Sequence, residues 1–526
     1  AEPYYETSAA ETSAGITPSD KSYAHGDLPR YGAAIDGVTD DYSALAAAVA
    51  VCATHPVLPW SGTLLVDTDT AISVPTGGTI GGKGPKSIIA KTDNAFTTDI
   101  LTTTGNDIRI RSLRLVGPDN TAVDGITTDG GEDVIIEDIE GYQLASTVTI
   151  GLTTATDRAT LRSIYSEDNA QQGTHLNKAT NFYVEDIRST GCGTTALHHG
   201  LYVGNCSDGT IVNPKCWSNA GFGVHIYAQS TYTMRRITVI APECWSNGTA
   251  ASGNRAGIFV GRDSTSTCRG ITLVAPVTYN NVTAGIWVTN GDDVTIIAPD
   301  EDGNADATTN GIYIESGASS AATTNVRVNG GRVIEHGSNV RVVAPTGTTV
   351  NLWLDGIRIE DADGGGSAGI FANGAGTQNV YIGSTVRFNN NTTNRTHTGS
   401  AGGIYLAGSV VPSSSYTGTL TGCTTSPTSS IEYSVNGDFV TLEITSAFTA
   451  TSNTTACTIT GMPAAIRPTA TQVIGGVVTQ DNGAEVMSRV LIASSGTITL
   501  HNGLTPTFTG SGTKGISAGS FSYRIT

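Results

Sequence analysis

Four of the nine histidines, His175, His198, His199 and His225, fall close together in the middle of this chain, and a basic segment follows them. Residues 229–269 carry Arg235, Arg236, Arg255, Arg262 and Arg269 against only Glu243 and Asp263, although the whole chain has a net charge of −18. Imidazole changes protonation near neutral pH, and guanidinium pairs with carboxylates in a two-pronged geometry. Together they suit chemistry beside a carboxylate. β-Elimination there needs a cation to neutralise the carboxylate, a base for the adjacent C–H and an acid for the leaving oxygen. Arg255 or Arg262 fits the first role, His225 or His199 the second, and Tyr202 or Tyr227 the third. Arg235 and Arg236 extend the cationic surface.

Hydrolysis is the competing chemistry. It needs two carboxyl groups, about 5–5.5 Å apart for retention or about 6.5–9.5 Å for inversion. Asp263 with Glu243 or Asp124 are the carboxylates to examine. In "DEDGNAD", Asp300, Asp302, Asn304 and Asp306 alternate as calcium ligands do, but the glycine is misplaced for an EF-hand and no terminal glutamate follows. Turn residues are the leading reading, so no cofactor is expected and structural calcium is the lesser alternative. The eight cysteines form no CxxC pair, which leaves little for a zinc or redox reading.

These residues sit on a repeat. "HGLYVGN" (199–205), "FGVHIYA" (222–228), "AGIFVGR" (256–262), "AGIWVTN" (284–290) and "NGIYIES" (310–316) share one pattern. A second series, "DGTIVNP", "RRITVIAP", "RGITLVAP" and "DDVTIIAP", travels with it, and a third, "KCWSN", "ECWSN", "VTYNN" and "DEDGN", follows. Three short strands in fixed cyclic order, none able to bury a face alone, describe a parallel solenoid. Each repeat is one coil, and equivalent strands stack at about 4.8 Å. Asn219, Asn247, Asn281 and Asn304 align at one turn, where stacked amides can bond from coil to coil.

Strand alternation then orients the side chains. Ile286 and Val288 fill the lumen, so Trp287 points outward. The same slot holds His175, Tyr202, His225, Phe259, Trp287, Tyr313, Arg341, Phe371 and Tyr405, an aromatic column in a chain only 6% aromatic. Sugars stack their C–H faces on such rings, so the column is expected to be exposed and to bind an extended glycan through His175, Tyr227, Phe259, Trp287 and Tyr313. Packing against another subunit is the alternative.

The acidic balance argues against nucleic acid and anionic membranes, and no apolar run is long enough to span a bilayer. The absence of an initial methionine suggests a processed or truncated chain. Ahead of the coils, "YGAAIDGVTDDYSALAAAVAVC" (31–52) predicts a short helix, N-capped by Asp40 or Asp41, with Leu45, Ala48, Val49 and Cys52 on one face. This Tyr-Gly-Ala, Asp-Gly-x-Thr-Asp-Asp and helix sequence, with the coils behind it, resembles the pectate-lyase-like right-handed parallel β-helix superfamily and, within it, the phage tailspikes. "VDGI" (123–126) and "HHG" (198–200) resemble elements of galacturonases, but the paired aspartates of that family's next coil are missing. The closing "GTKGISAGSFSY" (512–523) is similar to C-terminal modules of phage tail proteins, which trimerise or bind glycans.

The expected organisation is an all-β, right-handed single-stranded parallel β-helix with an N-terminal capping helix and a small C-terminal antiparallel β-sandwich. Its parts are an arm (1–27), the cap and first coils (28–104), the β-helix (105–408), a linker (409–430) and the sandwich (431–526). The resemblance implies a homotrimer on a virion tail, outside the cell, joined to other tail proteins through its N-terminal side. It implies binding and cleavage of a bacterial surface polysaccharide, with elimination ahead of hydrolysis and a non-catalytic adhesin as the third reading.

Overall fold

The computed structural model describes residues 3–525 apart from 119–122, 145–149, 153–154, 251–254, 318–322, 362–367, 390, 392, 400, 407–410, 437–438 and 453. It divides into two compact units, Ala1–Gln378 with Thr385–Ala401, and Asn379–Ser384 with Gly402–Thr526.

The first unit is a parallel solenoid of about 13 turns. Its lumen is built by identical residue types stacking in register. Val224, Ile258, Ile286, Ile312, Val340 and Ile370 are successive partners in one column, and all have no exposed surface. Ile226, Val260, Val288, Ile314 and Val342 form the next column inward of the same strands. Burial of such side chains contributes about 1.5–3 kcal/mol each, and one coil alone has no partner surface to bury them against.

Corners are made by single residues in the left-handed region. Asn181, Asp208, Arg236, Gly270 and Asp293 occupy the same bend with φ of 51°, 59°, 51°, 64° and 55°. Ala241, Ala275 and Ala298 form a second corner column, and Ser218, Ser246 and Asn280 a third. Each non-glycine residue there costs roughly 1 kcal/mol or more. The stacked hydrogen bonds on both sides hold it there.

Beside the third corner runs the asparagine ladder. Asn219 donates from its backbone N and Nδ2 to Asn247 Oδ1 at 3.2 and 3.0 Å. Asn247 repeats this to Asn281 Oδ1 at 3.0 and 3.1 Å. The side chain of Asn304, the fourth expected rung, lies outside the described residues.

The N-terminal stretch, expected as an arm or linker, is tied to the chain at Arg30. Arg30 and Glu11 form a fully buried ion pair at 2.7 Å, and Arg30 also donates to the carbonyls of Tyr5, Glu6 and Tyr23. The expected helix is Tyr42–Ala50, with Leu45, Ala48, Val49 and the following Cys52 buried. Asp41 does not cap it with its side chain. Its carboxylate accepts from the backbone of Ala34 and Ile35, and Asp40 accepts from Tyr42 N instead.

In the second unit, ten antiparallel strands form one curled sheet rather than two stacked ones. The segment expected as a linker supplies a strand, Val411–Thr421, which pairs with Thr428–Asn436 and Thr458–Thr460. Composition misled here: Ser and Thr suit exposed strand faces as well as linkers. Asn482 and Gly483, at φ 53° and 81°, turn the hairpin between Gln472–Asp481 and Ala484–Ile492. The chain's other Asn-Gly pair in this unit, Asn436 with Gly437, reaches outside the described residues. Leu420, Ile431, Leu442, Ile459, Val490 and Leu500 are fully buried members of this unit's core.

Candidate functional site

Strands Thr174–Asn177, Leu201–Gly204, Val224–Ala228, Ala256–Arg262 and Ala284–Thr289 bring His175, Tyr202, His225, Phe259 and Trp287 into register. Tyr313, Arg341 and Phe371 continue the column. Its next member is Thr396, not Tyr405. Tyr405 stacks on Tyr381 in the other unit, at 4.9 Å.

The column is less exposed than alternation alone predicts. Trp287 and Phe259 are each 7% exposed. Phe222, from the turn before its strand, folds over the outer face, 4.7 Å from Phe259 and 6.2 Å from Trp287. Small Ala256 and Ala284 make room for this second apolar cluster. Trp287 therefore points away from the lumen but meets other rings, not water. His175, Tyr202, His225, Tyr227 and Tyr313 remain partly exposed.

The histidines do converge. His199 and His225 rings lie 4.2 Å apart, edge to face, and Tyr202 lies 5.1 Å from His225 and 4.8 Å from His175. Burial lowers the His225 pKa to about 3 and that of His175 to about 4. His199 is held well below the usual range by burial, then by the nearby His225, His198, His175 and Arg255. All three are neutral at neutral pH. His199 Nδ1 accepts from the Phe222 backbone N–H at 3.1 Å, so its proton sits on Nε2. That makes His199 a hydrogen-bond donor there and removes it as a base. His225 Nδ1 is enclosed and has no partner among the described residues. Burial, with the Cys206 and Tyr227 groups, raises Tyr202 to about 12, which keeps its hydroxyl protonated.

Arg255 completes the group. It is 1% exposed, and its Nη1 donates to the carbonyls of Gly248 and Ala250. Its Nε and Nη2 are buried with no partner among the described residues. Burial depresses its pKa. Along the same column His175 Nε2, Trp287 Nε1 and Arg341 Nε are also enclosed without partners. An orphaned buried donor costs about 1–3 kcal/mol, so this face carries a concentration of unmet hydrogen-bonding capacity.

Other expected participants are committed elsewhere. Arg262 donates to the carbonyls of Asn290, Asp263 and Ser266, where it fastens a loop. Asp263 accepts from Ser230, Thr265 and Ser266; against the push of burial, those bonds hold its pKa at about 2. It is a turn anchor and fully ionised. Arg235 and Arg236 lie on Thr233–Ile240, the next strand of the coil, and both pair with Asp208. Glu243 lies on the third strand of its coil, bridged to Lys215 at 2.7 Å. Asp124 precedes a strand four coils upstream of His225 by the pairing order. The three carboxylates are not brought together, which removes them as a hydrolytic pair. Asp300 is bonded by Arg332 at 2.5 Å; Asp302 lies on the same strand, and the side chains of Asn304 and Asp306 lie outside the described residues.

Sequence reasoning missed Phe222 and Gln172, whose Oε1 accepts from the His199 backbone at 2.6 Å. It also missed a face-to-face stack of Trp217, Trp245 and Tyr279, with centroids at 5.0 and 5.6 Å. The third repeat series already aligned those rings.

No protein-family model and no curated protein matches this chain. Among solved structures, it is similar to the Dettilon tailspike protein, at 14% identity and a TM-score of 0.53, over 94% of this chain and 93% of that one. It is similar to the A-module of the Azotobacter vinelandii mannuronan C-5 epimerase AlgE4, at 17% identity and a TM-score of 0.48, over 72% of this chain and 99% of that one. Tailspike protein 2 of bacteriophage CBA120 matches at 10% identity and a TM-score of 0.37, over 95% of this chain and 70% of that one. The likeness is one of fold: this chain is a parallel β-helix protein with the architecture of the Dettilon tailspike.

Proposed function

We propose that this chain is a tailspike-like depolymerase that binds an acidic bacterial surface polysaccharide and cleaves it internally by β-elimination. The observation that carries the reading is Arg255, a nearly fully buried guanidinium with two nitrogens unpartnered among the described residues, close enough to His199 to help hold that imidazole neutral. A uronate carboxylate is the group that a guanidinium fork pairs with best.

In this reading Arg255 neutralises the uronate and stabilises the charge that develops when C5 is deprotonated. His225, through Nε2 and not the enclosed Nδ1, takes the C5 proton, the C4–O4 bond breaks, a C4=C5 double bond forms, and Tyr202 returns a proton to O4. His199 donates from Nε2 to the substrate, and His175, Tyr227 and Tyr313 line the glycan's path. The protein acts as a homotrimer on a virion tail, outside the cell, with its N-terminal side toward other tail proteins. Structural calcium at Asp300 and Asp302 stays the lesser expectation.

Binding without cleavage is the second reading. What favours it is the low basicity of His225, since a base of pKa about 3 takes a carbon-bound proton poorly. Incubation with host capsule or lipopolysaccharide separates the readings. Shortened chains carrying the ultraviolet absorbance of an unsaturated uronate support elimination. Shortened chains without it mean hydrolysis, and unshortened chains mean an adhesin.

A further inference from the structure

A second cluster of saccharide-type residues lies on a different strand column. Strands Asp292–Ile297, Thr323–Asn329 and Thr349–Asp355 stack in register. Val294, Val326 and Leu352 point into the lumen with no exposed surface. Alternation turns Asn325, Arg327, Asn351 and Trp353 outward. There a pocket of about 320 Å³ is lined by Asp292, Asp293, Val294, Asn325, Arg327 and Trp353. That volume lies at the small end of ligand pockets and suits one ring-sized group.

The lining is internally ordered. The Arg327 guanidinium lies 5.3 Å from the Trp353 ring centroid and 3.5 Å from Asp293 Oδ1. Asn325 Nδ2 donates to Asp292 Oδ1 at 2.7 Å, and Asn351 Nδ2 donates to Asn325 Oδ1 at 2.8 Å. Each carboxylate thus keeps its second oxygen for an incoming hydroxyl, while Arg327 keeps further N–H donors. Asp293 reaches the pocket because it occupies the left-handed corner, at φ 55°.

We infer that this pocket binds a single neutral sugar ring. The apolar wall of Trp353 meets the C–H face, and the carboxylates and guanidinium meet the hydroxyls. Two carboxylates against one guanidinium leave a net negative pocket, which repels a uronate or a phosphate. The Arg255 face has the opposite preference, so this site does not depend on the function proposed for that face. A heteropolymer with neutral and acidic residues would use both.

Ligand-observed saturation-transfer NMR on the full chain tests this, with glucose, galactose, mannose, N-acetylglucosamine and glucuronate as separate probes. At least one neutral sugar should receive saturation and glucuronate should receive none through this pocket. Trp353→Ala should abolish the neutral-sugar signal, and Arg255→Met should leave it unchanged. Because Trp353→Ala also removes a packing contact, Arg327→Ala provides a second variant: its side chain is 57% exposed, so the fold should survive and the signal should fall at least several-fold. No signal from any neutral probe, an equal signal from glucuronate that both variants remove, or a neutral signal untouched by either variant would overturn the inference.

Discussion

The rings of His199 and His225 meet edge to face with centroids 4.2 Å apart and planes at 75°. Two imidazoles this close, enclosed by Phe222, Phe259 and Tyr202, cannot both carry charge without a large desolvation and repulsion cost.

The pH behaviour follows. His175 and His225 have folded-state pKa values near 4 and 3, below the ordinary 6.5. The unfolded chain therefore binds protons that the folded chain does not as pH falls below about 6.5. Stability is full above that pH and declines as pH drops, by up to about 1.4 kcal/mol per unit for each histidine. Denaturant melts should show this slope, and His175→Phe should flatten part of it. Turnover, if His225 is the base, should keep its acid limb near pH 3–4 until the fold fails. An acid limb centred at pH 6–7 with the fold intact would contradict the burial of this cluster.

Trp287→Ala should behave as a core substitution. With 7% exposure and contacts to Phe259, Phe222 and Tyr313, its loss should cost about 3–5 kcal/mol. Chemical denaturation measures this. A stability change under about 1 kcal/mol, with glycan binding lost, would restore the ring to the role of an exposed platform.

Glu301 lies in the lumen, fully buried, with Oε2 bonded to Thr278 and Oε1 unpartnered among the described residues. Burial raises its pKa well above the ordinary 4.5, against the Thr278 bond and with the help of Asp300. The folded state then holds a proton the unfolded chain releases, so stability falls as pH rises above about 4.5. Glu301→Gln should remove that loss, with a larger gain in melting temperature at pH 8 than at pH 5. An equal shift at both would mean the carboxyl is ionised in the fold.

Asn247 is the middle rung of its ladder, accepting from Asn219 and donating to Asn281. Asn247→Ala should leave buried amide groups unmet on both sides, at about 1–3 kcal/mol each. Asn247→Asp should also destabilise, because a carboxylate cannot donate onward. If either variant melts like the parent, water has replaced the rung or the ladder is not closed in solution.

Much of this was legible in the sequence. The strand register, the column from His175 to Phe371, the ladder at Asn219, Asn247 and Asn281, and the helix at Tyr42–Ala50 all followed from periodic spacing. Periodicity says which side of a strand a residue occupies, and nothing about what covers that side. Phe222 sits in a turn outside the period, so the roof over Trp287 was not readable. The basic island dissolved for a related reason. Arg235 and Arg236 are near Arg255 in sequence, but a coil places them on another strand, with Asp208 as their partner. Tyr405 was misplaced because its strand, Ala401–Leu406, stacks on Thr377–Ile382, another strand column of the coil, while the flanking glycines resemble the first repeat series.

Arg255 as a receptor for carboxylate is the element on which the proposed activity depends most. The direct measurement is calorimetric titration of the protein with an acidic host polysaccharide that it binds, and with the same polymer after chemical reduction of its carboxyl groups. The parent protein should bind the acidic form and lose at least about tenfold in affinity, near 1.4 kcal/mol, on the reduced form. Arg255→Met should bind both equally weakly while melting no lower than the parent, since it removes a buried charge with two nitrogens unpartnered among the described residues. Equal affinity of the parent for both polymers, or a folded Arg255→Met that still prefers the acidic one, would show that Arg255 belongs to the scaffold and that the carboxylate site is elsewhere.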